Sequence, residues 1–190
     1  MTRSPVLAVS GVPGSGKTTL CKAIQRATGA TIVAYDQYEQ ITQTPLDELM
    51  LWLDGGADFA EIEAPGLTEA IDRAAQQGPV ILDSPLGRAL PECAPHIGFQ
   101  IWLDCPSDLA LGRKLKQFLD LDSGPERFDW VSNYLAAYPA VVRPLFLLQQ
   151  ERVPILADAI IDATQALDKS IDEVIDVARA VFDLNPRIRH

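Results

Sequence analysis

Positive charge is scarce in this chain, which carries 16 Lys and Arg against 26 Asp and Glu for a formal net charge of −10. A nucleic-acid partner needs a basic face for its phosphates, so none is expected. An anionic ligand must instead be held by donors gathered at one place, because the overall field repels it. Histidine is rarer still, at His96 and His190, and the three cysteines Cys21, Cys93 and Cys105 show no CxxC spacing. Zinc therefore lacks a His/Cys ligand set, and an odd cysteine count argues against a disulfide framework. Reduced, mostly buried thiols are expected. No apolar run approaches the roughly 20 residues of a membrane helix, and no signal-peptide core follows Met1. The expectation is a cytoplasmic protein with no membrane partner. Repeats and low-complexity tracts are missing too, and 190 residues suit one domain, 1–190, with a sizeable core.

Short β-rich runs alternate with longer helical patterns. Strands are expected at Pro5–Ser10, Thr31–Tyr35, Pro79–Asp83, Phe99–Asp104 and Ala159–Asp162. Their continuous apolar character suits strands covered on both faces of a parallel sheet. Helices are expected from Gly16 to Thr28, Pro45 to Gly55, Pro65 to Gln77 and Ser107 to Leu121. A further helical stretch, Phe128 to Gln150, should break near Pro139 and Pro144. Ser170 and Glu173 read as a capping box opening a helix to Phe182. The alternation implies a doubly wound α/β sheet, whose ligands sit outside the carboxyl ends of the strands. Gly11, Asp36, Asp83 and Asp104 all fall at that rim.

Residues Gly11, Val12, Pro13, Gly14, Ser15, Gly16, Lys17 and Thr18 fit GxxxxGK[ST] at every fixed position, between a strand and a helix. Glycines let successive backbone N–H groups converge on one point, and the helix N-terminus adds its dipole there. Lys17 brings charge to the β- and γ-phosphates, the Thr18 hydroxyl can ligate Mg²⁺, and Thr19 completes the ATP-binding set. Asp83 ends an apolar strand in the manner of a Walker B carboxylate and joins Thr18 as the expected metal site.

Three further positions carry candidate chemistry, each with a plainer alternative. Asp36 could take the proton of an attacking hydroxyl, or simply cap a turn. Arg88 could grip a phosphate or an acceptor, or be a solvated arginine. In the run Gly112-Arg113-Lys114-Leu115-Lys116, Arg113 and Lys116 stand three apart and face one way on a helix. A lid closing on the phosphates would use them; a solvated face is the alternative. Trp52 fits core packing better than ligand stacking. The basic end at Arg187, Arg189 and His190 reads as a solvated tail.

Taken together these residues resemble the uridine kinase-like branch of P-loop small-molecule kinases, which includes phosphoribulokinase, pantothenate kinase and nicotinamide riboside kinase. Besides the Walker A loop, Asp36 and Tyr38 resemble the family's D-x-[FY] at the second strand. Ile101-Trp-Leu-Asp104-Cys-Pro106 followed by Arg113 resembles its fourth strand and lid helix. Tyr134-Leu135, Val142-Arg143-Pro144 and Ala157-Asp158-Ala-Ile-Ile-Asp162 follow in the family's order. The resemblance implies a three-layer fold with a five-stranded parallel sheet in the order 2-3-1-4-5, helices on both faces and a short helical lid over about 107–130. It implies ATP and Mg²⁺ as cofactors, Lys17, Asp36 and Arg113 in catalysis, and an adenine pocket between the lid and the loop after Asp162. The lid has fewer arginines than the family's. The stretch 39–78, where the family builds its acceptor pocket, does not match that of uridine kinase.

The expected activity is transfer of the ATP γ-phosphate to a hydroxyl of a small molecule, with Asp36, Tyr38 and Arg88 toward the acceptor and Arg113 and Lys116 in the lid. A kinase for a phosphate-bearing acceptor, such as a nucleotide or dephospho-coenzyme A, is the nearest alternative. A partner-regulated ATPase switch ranks lower, since no N-K-x-D motif is present and the length leaves no room for an added lid domain. Whether the protein forms a homodimer is left open.

Overall fold

The first strand, β1 (Val6–Ser10), is buried along its whole length, and so is β3 (Val80–Asp83) beside it. Such strands can exist only where both faces of the sheet are covered. A computed structural model of the protein, which describes residues 4–121, 124 and 126–183, supplies that cover. The sheet has five parallel strands in the order β2-β3-β1-β4-β5, with β2 at Thr31–Ala34, β4 at Phe99–Asp104 and β5 at Ala159–Asp162. This is the expected P-loop arrangement.

Right-handed crossovers decide which helix covers which face. Helices α1 (Lys17–Thr28) and α7 (Leu167–Asp183) pack together on one side. On the other lie α3 (Leu67–Gln77) and the group α4 (Ser107–Leu121), α5 (Glu126–Ala137) and α6 (Arg143–Arg152). A short helix, α2 (Leu46–Asp54), stands before α3 and has no buried residue. Leu7, Ile81, Leu82, Ile101 and Leu103 are fully buried between the layers. At roughly 1.5–3 kcal/mol each, such side chains are the main source of stability.

Three expectations need correction. The second strand stops at Ala34, because Tyr35–Gln37 turns as one 3₁₀ turn and lifts Asp36 onto the rim. The helix after Pro139 is not cut but loosened: Tyr138–Val142 forms a π turn, and Pro144 sits in the first turn of α6. Proline removes a donor from the ladder, and a wider turn accommodates the loss. The capping box at Ser170 does not form. Asp162 accepts from the Thr164 N–H (2.7 Å) and hydroxyl (2.6 Å), which lets α7 start earlier at Leu167. Ser170 is then a buried interior residue, and Glu173 takes a hydrogen bond from Gln165 Nε2 (2.9 Å) instead. Arg187, Arg189 and His190 lie outside the described residues. All three cysteines are free and buried, as expected.

Candidate functional site

The P-loop joins β1 to α1 at the carboxyl rim. Its turn is closed by the Ser15 N–H donating to Val12 O (3.0 Å), with Gly14 and Gly16 in the left-handed region at φ +89° and +102°. At Gly14 a side chain is excluded twice over, since a Cβ would fall 2.1 Å from the Ala110 carbonyl oxygen. The first turns of α4 therefore rest directly on the loop. The Ser15 hydroxyl is buried and has no hydrogen-bond partner among the described residues. An unanswered donor inside a ring of backbone amides fits an anionic oxygen.

Lys17 folds back over this loop, donating to Gly11 O (2.8 Å) and Val12 O (3.1 Å). Loss of solvent lowers its pKa, while the charges of Asp83 and Asp36 act in the opposite direction. Beside it on α1, the Thr18 hydroxyl donates to Asp83 Oδ2 at 2.7 Å. Burial raises the Asp83 pKa, and the Thr18 hydrogen bond and the Lys17 charge oppose it. Thr19 is exposed on the next position of α1. Thr18 and Asp83 are hard oxygen donors brought together from two elements, which is the donor chemistry Mg²⁺ takes.

Asp36 is exposed on its 3₁₀ turn, and its charge acts on Lys17, on Asp83 and on Lys114. Tyr38, half-buried, packs toward Gly66 and the core. Beyond them a cavity of about 280 Å³ is lined by Gln40, Thr44, Glu48, Trp52, Glu61 and Glu63 among others. Trp52 thus combines core packing with a wall on open space, its ring tilted against Phe59 at 6.5 Å.

The three cations of α4 take three different directions. Arg113 reaches the far end of the rim, donating to Ala163 O (3.0 Å) after β5 and to Cys105 Sγ (3.8 Å). Lys116 is exposed and pairs with Asp120 one turn on. The shared direction expected for Arg113 and Lys116 is not kept, because long side chains follow the nearest acceptor rather than the helix face. Lys114, which the motif reading passed over, lies four residues after Ala110 and so above the loop that Ala110 touches. It is half-buried, its Nζ 4.7 Å from the centre of the Phe118 ring. Desolvation lowers its pKa and the Asp36 charge opposes that. The signal that would have found it is the four-residue step from a backbone contact, which no sequence displays.

Arg88 is turned away from this rim. It donates to Leu156 O (3.0 Å) and Gly98 O (3.1 Å) and pairs with Asp158 at 2.8 Å. Those groups stand at the amino ends of β4 and β5, so the expected grip on an acceptor is corrected: the loop 84–98 returns to the opposite edge of the sheet and takes the guanidinium with it.

From Phe118 on α4 a stack of rings leads away through Trp130 (3.2 Å between centroids), Tyr134 (4.8 Å), Tyr138 (6.3 Å) and Phe146 (6.2 Å). It binds α4 to α5, the π turn and α6.

A P-loop nested under a cation-bearing helix, on a sheet of this order, places the molecule among the P-loop nucleotide-binding proteins. The sequence pattern of the AAA domain matches residues 7–117, more than half of the chain, and the protein belongs to that family. Curated proteins offer no match. Among solved structures it is similar to a gluconokinase from Sinorhizobium meliloti 1021, at 17% identity over 100% of both chains with a TM-score of 0.51. It is likewise similar to a sugar kinase from Janibacter sp. HTCC2649, at 19% identity over 98% of this chain and 99% of that one, with a TM-score of 0.55. At such identities the likeness is one of fold.

Proposed function

We propose that the protein is an ATP-dependent phosphotransferase that moves the γ-phosphate of ATP to a hydroxyl of a small molecule. One observation carries this reading: the P-loop, the Thr18–Asp83 pair and the Asp36 turn after β2 gather at one rim of the sheet, where the Asp36 charge acts on Lys17 and Lys114. A carboxylate so placed answers to a proton-bearing acceptor, which a site for binding nucleotide alone would not need. The named kinase activities of the structural neighbours favour the same class.

In this mechanism the acceptor hydroxyl gives its proton to Asp36 as its oxygen bonds to the γ-phosphorus. The bridging P–O bond breaks, and ADP leaves with the electron pair. Backbone amides of the P-loop hold the phosphates, and Lys17 and Lys114 offset the charge that develops on the transferring group. Tyr38 borders the acceptor. Arg113 anchors the end of the rim where the adenine would lie, and Lys116 contributes little. Thr18 and Asp83 would hold Mg²⁺, which when bound neutralises phosphate charge. The lid is placed at about 107–130 and the acceptor-binding insertion at 39–78, as in the uridine kinase-like branch, within a cytoplasmic enzyme of one domain. A phosphate-bearing acceptor loses its support with Arg88 engaged elsewhere.

The test is an ADP-release screen over nucleosides, sugars, vitamins and antibiotic-like alcohols, with mass detection of the product. Asp36→Asn should keep ATP affinity while turnover falls by about 10²–10⁴. ADP release indifferent to every alcohol, and undiminished in Asp36→Asn, would sink the proposal.

A further inference from the structure

We propose that the acceptor is an alcohol that also carries a protonated amine, seated in the cavity bordered by Trp52, Glu48, Glu61 and Glu63. This rests on the phosphotransferase reading and names the substrate class of that site.

The sequence between Arg26 and Arg73 contains no Lys, Arg or His, and Asp36, Tyr38 and the whole cavity lining fall within it. Lys17 and Lys114 act on Asp36 at the phosphate end of the segment but do not line the cavity, and Arg152, hydrogen-bonded to the segment, is already engaged. Arg152 donates to Ala57 O (2.7 Å) and Gly56 O (3.0 Å) and covers the Phe59 ring at 5.4 Å. Within the cavity itself, an acceptor carboxylate or phosphate would thus meet glutamates and no cation of the lining. Among the described residues none of the three glutamates forms an ion pair. Nor do they sit closely enough for a metal, since no described group of three His, Cys, Asp or Glu could hold one. Separated carboxylates around an indole suit a larger, softer cation. An ammonium gains from the negative face of Trp as well as from the carboxylates, and each contact alone is modest where solvent reaches it. Gln40 and Thr44 supply neutral donors and acceptors for hydroxyls on the same lining. A volume of about 280 Å³ accommodates a molecule of monosaccharide size.

The experiment compares charge on a fixed scaffold. Glucosamine, glucose and gluconate form one series, and serinol, glycerol and glycerate a second. Binding is followed through tryptophan fluorescence, with Trp52→Phe identifying the reporting residue, and transfer through ADP release. The amine of at least one series should bind about 10-fold tighter than its neutral analogue, with the carboxylate weakest. A variant carrying Glu48→Gln, Glu61→Gln and Glu63→Gln, its folding verified by Tm, should bring the amine to the neutral level. No amine preference in either series, or a preference that survives the triple variant, overturns the inference. Amine binding without ADP release from any alcohol would instead remove the phosphotransferase reading and leave the cavity's preference standing. Efficient transfer to gluconate or glycerate would do the reverse.

Discussion

On the donor side of the rim Lys17, Thr18 and Asp83 are answered by groups of the chain itself; on the acceptor side Glu48, Glu61 and Glu63 are exposed and form no ion pair among the described residues. Lys17 is held by two carbonyls and Thr18 by Asp83, inside a loop pressed under α4. Glu48, Glu61 and Glu63 are exposed, and α2, which carries Glu48, has no fully buried residue. The difference follows from what each side must recognise. A triphosphate has one geometry, so a fixed backbone nest suffices, whereas an acceptor is distinguished by side chains that can vary without disturbing the sheet.

The contrast can be broken most severely at Lys17. Lys17→Ala should lower kcat/KM for ATP by about 10³-fold, measured by turnover at saturating acceptor. Retained activity would mean that the nest, not the charge, does the work of the donor side. A smaller effect separates the cations of α4. Lys114→Ala should reduce kcat by about 10- to 10²-fold, and Lys116→Ala should leave it within error, because Lys116 only joins an exposed i, i+4 pair. The reverse order would restore the lid that the sequence spacing suggests. Smallest for activity is Arg88→Ala, where kcat and acceptor KM should stay unchanged while stability drops by about 1 kcal/mol through the lost carbonyl contacts, Asp158 keeping its hydrogen bond from the Gln100 N–H. A raised acceptor KM would return Arg88 to the acceptor side.

Much of this architecture is legible in the linear chain, for stated reasons. Strands covered on both faces read as apolar runs, and the P-loop glycines are demanded by the left-handed turns at Gly14 and Gly16. The strand order came from family resemblance, not from the runs themselves. What stayed hidden depends on rotation and return. Neighbours on a helix differ by about 100°, so choosing Lys114 over Arg113 or Lys116 requires knowing that Ala110 touches Gly14. Arg88 follows Asp83 closely in sequence, yet its loop carries it to the opposite edge of the sheet. Ser170 has the right neighbours for a cap, but Asp162 and Thr164 shape the preceding turn first. The cavity left no motif at all, only a long stretch without positive charge.

The ring stack that begins at Phe118 gives these two sides a common mechanical element. Its upper end carries Lys114 over the Phe118 ring, and its lower end passes through Tyr138 in the π turn, the segment that packs against α2. One continuous row of ring contacts, stacked at Phe118–Trp130–Tyr134 and tilted or edge-on beyond, thus links the helix that carries Lys114 to the turn beside α2. Tyr134 stands in the middle, its hydroxyl buried without a partner among the described residues and its ring between two others. A truncation there would touch neither substrate, yet it would loosen both ends of the same brace.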